Sequence, residues 1–310
     1  MASPTVVVFG PTGGVGRAAA LEAAKRGAKV WLGMRDTSKQ IGGLSAAEES
    51  LLGFQRVQAD LSDPSSVTVA VKTSGATHAF MYLLFDAKDG MRGTLTALKD
   101  AGIKYLVFLS SMSVKGNLRD IPPSSGIPYL HGRVELLAEE LGLSISAIRP
   151  GYFSTNMFWL KSEVQKGEVG LYGADGWFDY VDRDDIGAVA GAILAEKKFQ
   201  DASPGHPGKP IYVYGPELVQ QHEAFRILGK VLGKEIKVRE LTKEEYLERA
   251  PLPKEILEGV ATMFEKARVK GSALAPGSFE EAHADFERLV GRKLTGLEES
   301  LEKNKAGFEV

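Results

Sequence analysis

The chain has 310 residues, 44% hydrophobic and 25% charged, which are the proportions of an ordinary globular protein with a packed core. Its formal net charge of −2 argues against nucleic acid as the main partner, and the absence of cysteine excludes disulfides, thiolate metal sites and cysteine nucleophiles. We find neither a signal segment nor an apolar run long enough for a bilayer, so we expect a cytoplasmic protein without a membrane partner.

The first motif is a glycine-rich turn between a predicted strand and a predicted helix. Residues 5–9 are apolar and β-branched, which indicates a buried parallel strand, and residues 17–26 are rich in good helix formers. Between them lie Gly10, Thr12, Gly13, Gly14, Val15 and Gly16. Such glycines let the backbone approach a pyrophosphate, and the helix N-terminus offers free N–H groups to the anion. The setting predicts a dinucleotide site.

A second predicted strand, residues 29–34, ends at Arg35 and Asp36. In dinucleotide folds the residue that closes this strand meets the adenosine ribose, where an acid favours NAD and an arginine suits the additional phosphate of NADP. Arg35 has the expected spacing from the last glycine of the motif, and its guanidinium can bind a phosphate through two hydrogen bonds. We therefore favour NADP(H) as cofactor, and Asp36 leaves NAD as the alternative.

Further strands are predicted at residues 54–59, 78–85, 105–110 and 144–148, alternating with helices. This alternation predicts a doubly wound parallel sheet with right-handed crossovers, in which ligands bind beyond the C-terminal strand ends. Asp60, at one such end, can accept a hydrogen bond from the adenine amino group or cap the next helix. We expect a Rossmann-like α/β domain over residues 1–155. A smaller α+β substrate lobe would follow over 156–310, with strand segments that can return to the main sheet.

The sequence resembles the NmrA-like branch of the atypical short-chain dehydrogenase/reductase superfamily. The resemblance lies in the glycine motif, Arg35-Asp36, Ser110-Ser111, the predicted helix over residues 129–141, and the segments Arg149-Pro150-Gly151-Tyr152-Phe153-Ser154-Thr155-Asn156 and Asp182-Arg183-Asp184-Asp185-Ile186-Gly187. It implies an NADP-binding Rossmann domain and a C-terminal substrate lobe. The family includes reductases of quinones and other small molecules, and also regulators that bind the dinucleotide without turning it over.

The wider superfamily uses a serine and a tyrosine followed four residues later by lysine. Here Tyr129 is followed by Arg133, and residues four apart share one helical face. Arg133 could lower the pKa of the Tyr129 phenol and hydrogen-bond the cofactor ribose, but arginine cannot relay a proton. Tyr129 is therefore a candidate proton donor, and the alternative is that it only packs at the start of a helix.

Other candidate residues follow the predicted fifth and sixth strands. Ser110 or Ser111 can hydrogen-bond a substrate carbonyl, although serines also form turns at strand ends. The turn formed by Pro150, Gly151, Tyr152 and Phe153 should lie beside the nicotinamide. An apolar substrate pocket is predicted from Met81, Tyr82, Met112, Asn156 and Phe158. The aromatic residues between Phe158 and Tyr180 otherwise indicate core between the two lobes.

The histidines indicate no metal site. His131 points away from the face shared by Tyr129 and Arg133, which makes it a poor catalytic candidate. The others lack metal-ligand spacing: His78, His206, His222 and His283.

The leading functional hypothesis is an NADP-dependent oxidoreductase that transfers hydride to a small apolar carbonyl, imine or conjugated alkene, quinone-like, phenolic or polyketide-like. Tyr129 would protonate the product, and Ser110 or Ser111 would orient the substrate. The first alternative is an NADP(H)-sensing regulator that binds a protein partner. The second is a dehydratase or isomerase on the same fold.

Overall fold

The computed structural model describes residues 3–195, 209–249, 254–275 and 278–309. Its strands are β1 (Thr5–Phe9), β2 (Lys29–Met34), β3 (Gln55–Gln58), β4 (His78–Tyr82), β5 (Tyr105–Leu109), β6 (Ser144–Pro150), β7 (Glu168–Leu171), β8 (Trp177–Phe178), β9 (Ile211–Val213), β10 (Val219–Gln220) and β11 (Lys237–Glu240).

The α-helices are α1 (Gly14–Lys25), α2 (Ala46–Leu51), α3 (Pro64–Ser74), α4 (Arg92–Ala101), α5 (Ile127–Glu140), α6 (Lys161–Lys166), α7 (Arg183–Ala195), α8 (Gln221–Leu232), α9 (Lys243–Arg249), α10 (Lys254–Ala267), α11 (Ser278–Val290), α12 (Leu297–Asn304) and α13 (Ala306–Glu309). Short 3-10 turns lie at Leu118–Asp120, Pro123–Ser125 and Ser154–Leu160. None of these helices combines the length and apolarity that a membrane span requires.

Seven parallel strands form the main sheet, in the order β3-β2-β1-β4-β5-β6-β9. The buried, apolar strand β1 lies near its middle, with Val8 paired to Leu32 on one side and Phe80 on the other. The first six strands alternate with helices, which confirms the predicted doubly wound α/β fold. The seventh strand, β9, comes from beyond residue 155, so the sheet uses both parts of the chain.

Each face of the sheet carries its own apolar core. On one face α1 packs directly on α7, whose Gly187 and Gly191 lie against the backbone of α1. A Cβ on Gly191 would overlap the Ala19 carbonyl oxygen and crowd the Ala23 nitrogen, so glycine allows this close approach. On the other face α3, α4 and α5 cover the sheet through residues such as Leu95 and Leu137.

A smaller unit with its own core follows the sixth strand. It contains a parallel pair, β7 with β11, and an antiparallel pair, β8 with β10. Its aromatic centre consists of Tyr152, Phe178, Tyr180 and Phe264, with ring centroids 4.7 to 6.4 Å apart. Of the aromatics between Phe158 and Tyr180, Phe178 and Tyr180 thus belong to the core of this unit rather than to one between two lobes, and Trp159 is exposed.

The C-terminal helices are tied to the start of α7 by two buried aspartates. Asp182 accepts hydrogen bonds from the Asp184 N–H at 2.7 Å, which caps α7, and from the Ser300 hydroxyl. Asp185 accepts from the Thr295 N–H at 2.7 Å and is fully buried. The sequence analysis had not predicted α6, α12, α13 or the short strands β7, β8 and β10.

Candidate functional site

The glycine loop after β1 leaves the start of α1 open. Gly10 has a φ of +70°, and a Cβ on Gly16 would overlap its carbonyl oxygen, so these two glycines shape the turn. Gly13 caps the helix without any side-chain hydrogen bond. Among the described residues, no backbone or side-chain acceptor binds the N–H groups of Gly14 and Val15. These groups are available to an anion, as a dinucleotide pyrophosphate requires.

A cavity of about 400 Å³ lies beside this loop. It is lined by Thr12, Gly13, Gly14, Arg17, Gly42, Gly43, Phe158, Arg183, Lys303, Asn304, Ala306 and Gly307. Three of these residues are cations and none is a carboxylate. Arg17 is held by Asp184 at 2.8 Å, and Arg183 donates to the Asn304 side chain at 2.5 Å. The basic lining suits the phosphates of a dinucleotide.

Arg35 is exposed at the end of β2 and forms no ion pair within the described chain. Asp36 beside it is engaged, because its Oδ1 accepts from the Ser38 N–H at 2.9 Å and from the Ser38 hydroxyl at 2.6 Å. These hydrogen bonds hold the pKa of Asp36 below its usual value. Of these two side chains, Arg35 is therefore the one that is free to contact the ribose of a dinucleotide.

Asp60 lies near Arg35, whose charge helps to lower the Asp60 pKa. The larger cause is a local turn, in which Asp60 Oδ1 accepts from the Ser62 N–H at 2.9 Å and from its hydroxyl at 2.7 Å. The capping alternative for Asp60 is wrong, because the cap of α3 is Asp63, which accepts from the Ser65 N–H at 2.9 Å.

The turn after β6 is fixed by a buried carboxylate. Asp179 accepts from the Tyr152 N–H at 2.9 Å and from the Gly215 N–H at 3.0 Å, and burial raises its pKa to about 6. Gly151 passes so close to this carboxylate that a Cβ there would overlap it. Phe153 lies half-buried against the core on the α1 side of the sheet. Asp179 thus holds the predicted nicotinamide turn in place.

A second, mainly apolar cavity of about 350 Å³ opens between the ends of β5 and β6 and helix α10. It is lined by Ser111, Met112, Ser113, Lys115, Ser125, Ile127, Pro128, Gly151, Tyr152, Asn156, Trp159, Ile256, Gly259, Val260, Thr262, Met263, Lys266, Ser272 and Ala273. The predicted residues Ser111, Met112 and Asn156 meet here beside the Gly151–Tyr152 turn. Ser111 shares a hydrogen bond of 2.9 Å with Ser113.

Several lining residues were missed by the sequence analysis. Lys115 could have been identified, because it follows Ser111 by only four residues at the carboxyl edge of the sheet. Trp159 stands at the rim with three quarters of its surface exposed. The contribution of α10, including Val260 and Met263, has no local sequence signal because it depends on how the second unit packs.

Three expected pocket residues lie elsewhere. Met81, on β4, is fully buried in the core between the sheet and helices α3, α4 and α5, so it cannot line a ligand cavity. The ring of Tyr82 covers Gly10 and thus borders the glycine loop. Phe158 lines the basic cavity and packs on Phe308 with ring centroids 4.5 Å apart. These positions are corrections to the predicted apolar pocket.

Ser110 belongs to a buried polar network, and the expectation that it contacts substrate is corrected. Its hydroxyl donates to Glu135 Oε1 at 2.5 Å. Glu135 forms an ion pair with Arg149 at 2.6 Å, and Arg149 also donates to the Val114 carbonyl at 3.0 Å and the Tyr212 hydroxyl at 3.3 Å. This network ties α5 to the ends of β5, β6 and β9, where it supports the cavity wall.

Tyr129 and Arg133 lie on α5 but line neither the basic cavity nor the apolar cavity. Arg133 packs beside Gly90, at the approach to α4, and its guanidinium reaches Glu140 at 3.6 Å. Because Glu140 is seven residues further along the helix, the cation extends away from Tyr129. The catalytic pairing predicted from the spacing is therefore not formed in this structure, although both residues are on one helix.

His131 is buried between the rings of Phe85 and Phe108, and its Nδ1 lies 3.0 Å from the Ile127 carbonyl oxygen. Burial lowers its pKa. His222 and His283 each contact a backbone carbonyl, of Ala174 and Gly215. His206 lies outside the described residues. Within the described ranges, no three His, Asp or Glu side chains cluster as metal ligands would.

The parallel strand order, the open helix start after β1 and the free arginine after β2 define a Rossmann-like dinucleotide-binding protein. The chain belongs to the NmrA-like family, whose model matches residues 2–301. This confirms the family inferred from the sequence motifs.

The proteins to which this chain is similar carry names that refer to regulation or to reduction. The nitrogen metabolite regulation-like protein bik4 of Gibberella fujikuroi is 39% identical, with 96% of this chain and 95% of that protein covered. An NAD(P)H azoreductase of Xenophilus azovorans is 26% identical over 77% of this chain and 78% of that protein. The NADPH complex of the quinone oxidoreductase QOR2 of Escherichia coli has a TM-score of 0.71 at 19% identity, covering 96% of this chain and 99% of that one.

Proposed function

We propose that this protein is an NADP(H)-dependent reductase of small conjugated acceptors, such as quinones, azo compounds, imines and activated alkenes. The observation that carries the proposal is the apolar cavity bounded by Ser111 and by the Gly151–Tyr152 turn. It lies at the carboxyl edge of the sheet, the edge that also carries the glycine loop. The azoreductase and quinone oxidoreductase relatives support the same class of reaction.

The residues present fit NADP(H). The free N–H groups at the start of α1 and the basic cavity beside them would hold the pyrophosphate, and Arg35 would hold the ribose phosphate. The bound cofactor would supply hydride. Preference for NADP(H) over NAD(H) rests on Asp36 being occupied by Ser38 while Arg35 is free.

Within the cavity, Ser111 would orient and polarise the acceptor oxygen or nitrogen. Burial raises the pKa of the Tyr152 hydroxyl, which makes that phenol a poor proton donor. A conjugated acceptor delocalises the added electron pair, so its reduced anion can take a proton from water. Tyr129 does not line this cavity, so we assign no proton transfer to it.

The test is NADPH consumption by the purified protein with a panel of quinones, azo dyes, enones and aldehydes. We expect turnover of at least one conjugated acceptor. Ser111→Ala should lower kcat by about 2- to 10-fold, the worth of one neutral hydrogen bond, and leave the Kd of NADPH unchanged. Ser65→Ala, at an exposed serine on α3, is the matched control.

A second candidate function is an NADP(H)-sensing regulator. It is favoured by the separation of Tyr129 and Arg133 from the cavity and by the 39% identity to the regulation-like protein. Tight NADPH binding without consumption across the whole panel would support this function and contradict the reductase.

A further inference from the structure

The apolar cavity carries two positive charges and no negative one. Lys115 and Lys266 are the charged residues among those that line it, and no Asp or Glu is present there. The two lysines come from different elements, the segment after β5 and helix α10. Both side chains remain exposed to solvent, which screens part of their repulsion, and a negative charge bound between them would be attracted to both.

Lys115 is held in a fixed position at the cavity wall. Its Nζ donates to the carbonyl oxygens of Ala273 and Leu274, each at 3.0 Å. These neutral carbonyls accept hydrogen bonds from the ammonium group but do not balance its positive charge. Burial and the charge of Lys266 both lower its pKa, so the two ammonium groups are close enough to repel.

Lys266 has no carboxylate partner within the described chain. The neighbouring acid on its helix, Glu265, is occupied by the Tyr172 hydroxyl at 2.7 Å and by Lys243 at 2.9 Å. Glu265 is therefore paired on another surface and does not balance the charge of Lys266. The free cation remains directed to the cavity that it lines.

The rest of the lining suits a flat, conjugated skeleton. Met112, Ile127, Val260 and Met263 provide apolar surface, and Trp159 stands at the rim. The phosphates of a dinucleotide have a separate basic cavity, which shares no lining residue with this one. The two lysines are therefore left for the substrate.

We propose that the acceptor is an aromatic or quinone-like molecule bearing an acidic substituent that is ionised near neutral pH, a phenolate or a carboxylate, bound between Lys115 and Lys266. This inference rests on the proposed reductase function, because only a reductase would use the bound ligand as a substrate. The preference of the cavity for an anionic ligand can be tested without turnover.

The test compares two ligands of nearly equal shape, the hydroxynaphthoquinone lawsone, which is an anion at neutral pH, and its uncharged methyl ether. Each is titrated into protein loaded with NADP⁺, which cannot reduce it, and binding is followed by calorimetry and by quenching of tryptophan fluorescence. We expect lawsone to bind at least about tenfold more tightly, at the lower end for a hydrogen bond to a charged group. Added salt should reduce this preference.

Lys266→Met should bring lawsone binding down to that of the methyl ether and leave the ether unaffected. It is the cleaner variant, because the Lys266 side chain makes no hydrogen bond in the described chain, whereas Lys115→Met also removes the contacts to Ala273 and Leu274. Lys104→Met is the matched control, with the same change of charge on an exposed lysine just before β5, at the opposite edge of the sheet.

Equal binding of the two ligands by the wild-type protein would overturn the inference, as would an equal loss in Lys104→Met. A repeat with NADPH separates the two proposals. Selective, Lys266-dependent binding, with no NADPH consumption by lawsone or by any other acceptor of the panel, would refute the reductase and retain the anion site. Equal binding with consumption of both ligands would retain the reductase and refute the anion site.

Discussion

Gly13→Val separates the nucleotide role of the glycine loop from its structural role. Gly13 has φ −85° and ψ 152°, a conformation that valine adopts readily, and an added Cβ would have only the Gly10 carbonyl oxygen as a neighbour, at 3.5 Å. We therefore expect the free energy of unfolding to change by no more than about 1 kcal/mol. Gly16→Ala differs, because its Cβ would overlap the backbone of the loop and should destabilise the protein by about 1–3 kcal/mol.

The valine side chain would stand over the free N–H groups at the start of α1. Loss of two hydrogen bonds to a charged phosphate corresponds to about 3–6 kcal/mol, so the Kd of NADPH should rise by at least about 100-fold. NADH should be affected equally, because both cofactors share the pyrophosphate. Titration calorimetry gives the affinities, and chemical unfolding gives the stability.

Gly296→Val is the matched control. Gly296 caps α12 with φ −68° and ψ 157°, also without a side-chain hydrogen bond, and an added Cβ there would meet no atom within 4 Å. This variant should bind NADPH as the wild type does. If folded Gly13→Val retained wild-type affinity, the loop would be only a structural turn, and the assignment of the nucleotide site would be refuted.

Arg35→Ala should weaken NADPH binding by about 1.5–3 kcal/mol and leave NADH binding unchanged by calorimetry; an equal loss for both cofactors contradicts the ribose-phosphate assignment. Tyr129→Phe should change kcat by less than about twofold, whereas removal of a true general acid would lower it by about 10²–10⁴-fold, and a fall of that size would restore Tyr129 as the proton donor. Burial lowers the pKa of His78 to about 4. Between about pH 6.5 and pH 4, the unfolded chain therefore binds a proton at His78 that the folded chain does not bind. The stability due to neutral His78 is complete above about pH 6.5 and falls by about 3 kcal/mol as the pH drops to about 4. Urea unfolding across this range should show a flatter pH dependence for His78→Phe, and an unchanged dependence would exclude His78 as the cause.

The sheet and the cofactor motif were predictable because their signals are local. The run before Gly10 has the composition of a buried strand, and the spacing to Arg35 follows from one βαβ unit. Strand ends such as Ser111 could be placed at the ligand-binding edge from the alternation of elements alone. The predicted fold rested on many such signals that agree with one another.

The apolar cavity could be predicted only in part, because residues that are adjacent in the sequence have side chains in different environments. Ser110 and Ser111 are adjacent, yet one bonds to Glu135 inside the protein and the other lines the cavity. The spacing of Tyr129 and Arg133 gives a common helical face, but the orientation of that face depends on packing against the approach to α4. The wall contributed by α10 comes from more than a hundred residues away along the chain, and no local pattern records it.

The basic cavity joins two parts of the chain that are synthesised far apart in time. Thr12 and Gly13 are translated about 290 residues before Lys303, Asn304 and Gly307, which line the same cavity. At about 5–20 residues per second, the interval is of the order of tens of seconds. A nascent chain can therefore form the central strands before this cavity exists. Chains that stop short of residue 303 would present a glycine loop without the cavity wall that Lys303, Asn304 and Gly307 contribute.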